Sequence, residues 1–422
     1  MKKLLKWIGR FFASLFTLIF FLFLITGIWL ILQPKLPKDA QKISDEYLHS
    51  EVYRELADSS LMLVQRLSKE MELPSISLAI SQNNEVVWAI VLGYADVDNK
   101  RLSTVDTRYR SGSISKSMTG LLAAKLVELG QLDLDVPIRS LVPAFPRKIW
   151  EPSLRQLAAH TGGIRHYGKP GHLSFFQEQF SRKHYHSVEE SLEIFSEDSL
   201  LFEPGTSFNY STHGFTLFSA ALEKASQQIY LELIEQYLWQ PANMQNTRAD
   251  DLSIADPNRI RPYTKIAGHY LDFEGPDPSY KWAGGGILST PSDLVKMGGA
   301  FMSAQILTKG PGDPVFHPLP LTDGSPNKEN YAMGWKNEMI NDLLQSEEDV
   351  WTMNHGGSSP GGSSFLLILP NDTLAVAAMT NLTVLNSWPM KEMVYKIAAK
   401  FRAHQQAYLT KKDENSQVPN GI

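Results

Sequence analysis

The sequence predicts an α+β fold: an antiparallel sheet assembled from both chain ends, flanked by helices, with a mainly helical lobe inserted between the halves. Two strand-like runs, 76–80 and 86–92, are separated by Gln82-Asn83-Asn84-Glu85, a hairpin signal. A second pair, 365–369 and 375–379, flanks Pro370-Asn371-Asp372-Thr373 near the other end. Helix starts and stops punctuate what lies between, and 390–401 reads as a closing helix.

The first element in chain order is an uncharged run of 22 residues, 11–32, which as helix extends roughly 33 Å and suffices to cross a bilayer. Trp7 and Trp29 stand near its ends as interface anchors do. Lys2, Lys3, Lys6 and Arg10 precede it, so the positive-inside rule puts the N-terminus in the cytoplasm and the remainder outside. A cleaved signal peptide would need a shorter apolar core and a small-x-small site, and none precedes Gln33-Pro34. Residues 1–40 therefore read as cytoplasmic N-terminus, single membrane anchor and linker, and the bulk of the chain as extracytoplasmic, periplasmic in a bacterial host.

Over 41–69, Leu48, Val52, Leu56, Leu63 and Leu67 recur among charges at helical spacing. The stretch 113–129 is helical and stops at Gly130. Ser153 and Gln156 are spaced as a capping box, with Gly162-Gly163 as the stop. Residues 172–195 are charged, aromatic and aperiodic, and read as a lid. Ser289 or Thr290, with Pro291 and Asp293, opens a further helix. Residues 41–405 form the folded domain and 406–422 a polar, disordered tail.

Four hundred and twenty-two residues exceed what one hydrophobic core usually serves, and 43% apolar with 20% charged residues is a globular composition. Forty basic against 45 acidic side chains leave a net charge of −5 without a basic stripe, so nucleic acid is not the partner. There is no cysteine, which excludes disulfides, thiolate nucleophiles and cysteine zinc sites together. Covalent chemistry must use oxygen or nitrogen.

Ser113-Ile114-Ser115-Lys116 has the form S-x-x-K, and residues three apart share a helical face, so Lys116 can meet the Ser113 hydroxyl. A serine attacks only when something takes its proton, and a lysine does so only if desolvation or a nearby cation lowers its pKa. The motif alone is common by chance. Its company is not: Tyr210-Ser211-Thr212 follows the turn Pro204-Gly205-Thr206-Ser207-Phe208-Asn209, and His355-Gly356-Gly357-Ser358 precedes the strand at 365–369.

With these three blocks in order, the sequence resembles the serine β-lactamase and penicillin-binding family, whose signatures are S-x-x-K, then Y-x-N or S-x-N, then K-T-G or H-x-G on a strand. The tyrosine form is that of the class C-like branch with its DD-peptidases, esterases and aminopeptidases. Arg110-Ser111-Gly112-Ser113 and 154–163 match that branch beyond the signatures. Gly163-Ile164-Arg165-His166-Tyr167 and Tyr280-Lys281-Trp282-Ala283-Gly284-Gly285-Gly286 resemble its mitochondrial β-lactamase-like serine proteases. The likeness spans roughly 75–401.

The resemblance implies a β-lactamase/transpeptidase-like fold and a membrane-anchored serine hydrolase that needs no cofactor and takes a peptide or ester substrate. Ser113 would form the acyl-enzyme, and Lys116 would share its proton with Tyr210, the general base and later general acid. Thr212, His355, Gly357 and Ser358 would bind substrate. The backbone N–H groups of Ser113 and Ser358 would form the oxyanion hole, and Gly356 and Gly357 would let the backbone approach the substrate.

Two departures bear on substrate. Thr212 stands where most relatives have asparagine, a hydroxyl in place of an amide. His355 stands where most have lysine, a group ordinarily charged only below about pH 6.5. Recognition of a substrate carboxylate is thereby weakened, which favours a peptidase- or esterase-like activity over a DD-peptidase or β-lactamase. A scaffold without catalysis is the reading from another class, and intact Ser113, Lys116 and Tyr210 argue against it.

Other patterns read as structural. Gly357-Ser358-Ser359-Pro360-Gly361 fits G-x-S-x-G, but a strand follows it where a nucleophile elbow needs a helix. Glu151-Pro152-Ser153-Leu154 is a helix start, and His184 and His186 lack a third metal ligand nearby. His160 and His166 read as packing groups under the site.

Overall fold

The computed structural model describes residues 2–168 and 178–416. Eight strands form one antiparallel path: β1 (Ile43–Leu48), β2 (Ser75–Gln82), β3 (Glu85–Asp96), β4 (Tyr331–Ala332), β5 (Trp335–Ile340), β6 (Val350–Ser359), β7 (Gly362–Leu369) and β8 (Leu374–Thr380). Their spatial order is β1-β3-β2-β8-β7-β6-β5-β4, with Arg101–Leu102 added beside β3. The first and last thirds of the chain thus meet at β2 and β8, where Ile80 faces Val376 and Leu78 faces Ala378. The β2–β3 turn is Asn83-Asn84, both with φ positive, at 53° and 66°, the two-residue connection that matches sheet twist.

Strand alternation divides the core into two layers. Ile76, Leu78 and Ile80 of β2, with Val376 and Ala378 of β8, pack beneath α2 (Arg54–Glu70) and the closing helix α7 (Trp388–Ser416). The opposite face carries small groups, Ala79, Ala375 and Ala377, so α6 (Pro291–Met302) lies close on it, and Ser81 donates to the Val295 carbonyl at 2.9 Å. Behind α6 stands the helical lobe, with α3 (Ile114–Glu128), α4 (Leu154–Ala158) and α5 (Thr212–Ser226) sharing that core.

Capping residues sit where the sequence puts them. Ser153 and Gln156 make a reciprocal capping box on α4, and Thr290 caps α6 with Pro291 in its first turn. α4 stops earlier than Gly162, because His160 takes the left-handed conformation at φ 61°.

Two expectations differ from the structure, and a third falls partly outside it. The segment read as one helix over 41–69 begins as β1, since Asp45 and Glu46 find distant partners. Asp45 accepts from Val105 N–H at 2.9 Å, Glu46 from the Trp88 indole at 2.9 Å, and the backbone pairs with β3. Edge pairing overrides the local period. The closing helix runs on to Ser416, past the expected 401 and into the polar stretch. Residues 172–177 of the expected lid lie outside the described residues; of the rest, Glu178, Tyr185 and Val188 are buried against the lobe.

Near the start, α1 (Lys2–Ile31) includes Lys6–Ile31, apolar enough to cross a membrane and not buried against the rest of the chain. The connection after it is pinned: the Pro34 carbonyl accepts from Tyr270 N–H at 2.9 Å, and Asp39 accepts from the Tyr94 hydroxyl at 2.9 Å.

Candidate active site

Ser113 caps the start of α3, and its approach is set by Gly112, whose φ is +51°. A Cβ at Gly112 would stand 2.7 Å from the Ser358 nitrogen, so the turn that carries Ser113 lies directly against β6. Arg110 fixes this juxtaposition from below. Its guanidinium donates to Asp250 at 2.8 Å and Glu274 at 2.6 Å, and to the Pro360 carbonyl in the β6–β7 turn at 2.7 Å. Arg259 closes the network on the same two carboxylates at 2.7 Å each. Gly112→Ala should therefore combine backbone strain with displacement of β6: a loss of about 1–3 kcal/mol in stability and of about 10²-fold in acylation rate. Thermal unfolding and the labelling rate of a serine-directed probe check it.

Lys116 lies one turn into α3 and is 0% exposed. Its ammonium nitrogen reaches Ser113 Oγ at 3.1 Å, Thr212 Oγ1 at 3.1 Å and the Gly284 carbonyl. Among the described residues no carboxylate forms an ion pair with it. Burial, reinforced by the nearby charge of Lys281, pushes its pKa well below the ordinary lysine value. A neutral amine beside a serine hydroxyl can accept that hydroxyl's proton.

Tyr210 enters from the turn before α5, its ring 4.8 Å from the Lys116 nitrogen. Burial raises the phenol pKa strongly, against a smaller opposing effect of its hydrogen bond with Ser113. The phenol is therefore a proton donor at rest. Its position depends on two histidines. His160 Nδ1 accepts from Ser211 N–H and His166 Nδ1 from Thr212 N–H, each at 3.2 Å, so both rings hold the first turn of α5. Each also lies against the Tyr210 ring, at 4.2 and 5.6 Å between centroids.

Thr212 is 1% exposed and touches Lys116 rather than the cleft. The hydroxyl that replaces an asparagine thus holds the lysine. Gly357 lines the cleft with Gly356 and Ser358. A Cβ there would meet the Ser111 carbonyl oxygen and Ser364 Oγ at 2.1 Å each, so its missing side chain admits the turn that carries Ser113, while Gly356 and Ser358 face solvent.

His355 is fully buried beside the cleft. Its Nε2 accepts from the Tyr331 hydroxyl at 2.9 Å and its Nδ1 faces the Gly356 carbonyl at 2.6 Å, which fixes a neutral tautomer protonated on Nδ1. Burial first, then Lys116, depress its pKa to about 3, against the favourable Gly356 carbonyl. The expectation of a His355 that gains charge below about pH 6.5 is therefore corrected: the imidazole stays neutral through the working range. His166 is depressed to about 3 for the same leading reason.

Both histidines bind protons in the unfolded chain near pH 6.5 but in the folded chain only near pH 3. Their neutral burial is fully compatible with folding above pH 6.5, and stability is lost as pH falls between those values. The melting temperature should fall steeply between pH 6.5 and 4, and less steeply in His355→Gln; equal slopes would contradict the assignment.

Ser113, Tyr210, His355 and Ser358 line one cleft of about 580 Å³, together with the Glu329–Lys336 ion pair and Lys391 at its rim. Tyr331 and Lys281 belong to the site by contact and were not singled out in sequence as site residues. Ser359 lies in a strand-to-strand turn, away from any helix start. His184 pairs with Asp277 at 3.2 Å, and among the described residues no three His, Asp or Glu side chains are placed to hold a metal.

The comparisons agree with this geometry. The family model described as Beta-lactamase matches residues 63–399. The serine beta-lactamase-like protein LACTB, mitochondrial, of Homo sapiens is 31% identical over 403 residues, covering 76% of this chain and 74% of that protein. Among solved structures, the D-amino acid amidase of Ochrobactrum anthropi superposes with a TM-score of 0.69 at 20% identity, covering 83% of this chain and 99% of that one. The hydrolase EstCE1, described as having promiscuous acyltransferase activity, gives 0.68 at 19% identity over 82% and 100%. With its three signature blocks meeting in one cleft and a family match across most of its length, the chain belongs to the beta-lactamase family and is a serine-hydrolase-type member of it.

Proposed function

We propose that this protein cleaves an amide or ester through an acyl-enzyme on Ser113. The observation that carries the reading is Lys116, a buried lysine that has no carboxylate partner among the described residues and is hydrogen-bonded to the serine hydroxyl. In acylation, Ser113 Oγ attacks the carbonyl carbon as its proton passes to neutral Lys116. The oxyanion forms at the N–H groups of Ser113 and Ser358, and the C–N or C–O bond then breaks as the Tyr210 phenol protonates the leaving group. The new Lys116 ammonium returns a proton to Tyr210. Water enters by the reverse route, so each turnover restores Ser113, Lys116 and Tyr210.

A peptidase- or esterase-like substrate suits the cleft better than a carboxylated wall peptide or β-lactam. Neutral His355 offers no cation, and Lys336 and Lys391 already face Glu329 and Glu338. The test compares fluorophosphonate with penicillin labelling, alongside kcat/KM on paired neutral and carboxylate esters. Fluorophosphonate labelling and preference for the neutral ester support the reading; labelling by penicillin alone supports the wall-peptide alternative, and no labelling a scaffold.

Residues 1–40 act as an uncleaved anchor and linker, with 41–405 outside the membrane as the catalytic domain. The apolar helix Lys6–Ile31, whose membrane-length apolar window is not buried against the rest of the protein, supports this reading. Full-length protein should resist carbonate extraction. Recovery of a soluble form starting near Gln33 would establish a signal peptide instead.

A further inference from the structure

The third signature block of this chain carries no cation, since His355 is buried, neutral and engaged by Tyr331. A second lysine nevertheless stands beside the site. Lys281 ends the short turn Pro278–Lys281, and the next turn, Trp282–Gly285, presents the Gly284 carbonyl to Lys116. The next residue, Gly285, packs between Lys281 and the turn that carries Ser113: a Cβ there would stand 3.8 Å from the Gly112 carbonyl carbon and 3.9 Å from Lys281 Cδ. Lys281 is 7% exposed, and its nitrogen lies over the rings of Tyr167 and Tyr280, at 5.4 and 5.3 Å from their centroids. Among the described residues no carboxylate comes within 4.0 Å of that nitrogen.

We propose that Lys281 is a positioning residue that supplies the fixed positive charge of the site from behind the nucleophile, in place of the cation missing from the third block. This rests on the acyl-enzyme reading of Ser113 and Lys116. Aromatic faces hold an ammonium without neutralising it, which leaves its field free to act on Lys116. The surrounding charges do not cancel it. Glu178, in the layer behind, is held by Arg165 at 2.8 Å, His213 at 3.4 Å and Gly168 N–H at 2.8 Å. Asp277, on its own turn, is engaged by His184 at 3.2 Å and Ser279 N–H at 2.9 Å. The remaining titratable neighbours are His166, Tyr167 and Tyr280 beside Lys281, and Ser113's companions Tyr210, His160 and His355 around Lys116. The histidines are held neutral by burial, and the phenols of Tyr210 and Tyr280 are pushed up by it. Among the described residues, Lys281 is thus a positive charge without a carboxylate partner, and after burial it is the next influence that lowers the Lys116 pKa.

The experiment measures the pH profile of Ser113 acylation by a neutral nitrophenyl ester in full-length wild type, Lys281→Met and Lys281→Arg. Removing the charge lets Lys116 hold its proton to higher pH. The rising limb of Lys281→Met should move about one pH unit alkaline, with acylation about tenfold slower below the limb. Lys281→Arg should keep the wild-type limb. Lys281→Gln serves the same comparison if methionine unfolds the turn, as judged by melting temperature. A folded neutral variant with its limb unmoved and only a uniform loss of rate overturns the inference, as does an arginine variant that behaves like methionine. A wild type that does not acylate at all overturns the functional reading itself, and with it this inference.

Discussion

Ser113→Ala abolishes covalent labelling by serine-directed probes and leaves thermal unfolding nearly unchanged. The hydroxyl is half-buried at the floor of the cleft, and its loss removes its hydrogen bonds with Lys116 and Tyr210 without opening a cavity in the core. Such a substitution belongs among those worth about 0.5 kcal/mol or less in stability. In the proposed catalysis it removes the atom that becomes acylated, and among the described residues no other serine hydroxyl is hydrogen-bonded to a lysine. Ser115 is buried and donates back to the Gly112 carbonyl, and Ser359 sits in a hairpin turn away from Lys116. Labelling rate and melting temperature, read on one preparation, check both halves.

Lys116→Met is the second large effect, and its two halves point in opposite directions. Removing a positioned proton acceptor lowers kcat/KM by about 10²–10⁴-fold. Stability should be equal to wild type or higher. Burial holds the native Lys116 pKa well below that of an unfolded lysine, so over the interval between the two the native chain forgoes a proton that the unfolded chain binds. For such a depressed base, stability is fully present only above the unfolded lysine pKa and declines as pH falls through the gap. Methionine fills similar volume and removes that cost, against an unpaired Gly284 carbonyl worth about 1–3 kcal/mol. The pH dependence of acylation should disappear with the amine. A marked drop in melting temperature with activity retained would show that Lys116 is a structural lysine.

Much of this was legible in the sequence because the relevant interactions are local. S-x-x-K is a contact across one helical turn, and the capping box at Ser153 and Gln156 closes within four residues. Asn83-Asn84 dictates its own turn.

What the sequence withheld depends on distant partners. β1 looks helical until β3 lies beside it. Tyr331 has no motif, and its value arises because the chain brings it to His355, 24 residues on, so that the histidine becomes a neutral acceptor. Thr212 reads as a substrate group until Lys116, 96 residues earlier, is found donating to it. His355 itself could be given an ordinary pKa only while its burial was unknown. Lys281 lay in a block already matched to the family, yet one lysine in a sequence carries no sign of whether a carboxylate will meet it. Only the packed site shows Tyr167 and Tyr280 there instead.

The most direct measurement is the position of the adduct. After reaction of the full-length protein with a fluorophosphonate, trypsin cleaves after Arg110 and Lys116 and releases 111–116, which contains Ser111, Ser113 and Ser115 but neither Ser358 nor Ser359. Fragmentation of that peptide should place a single adduct on Ser113, formed at a rate that rises with pH as Lys116 loses its proton. An adduct on Ser115, Ser358 or Ser359, or none on the folded protein, would contradict the account.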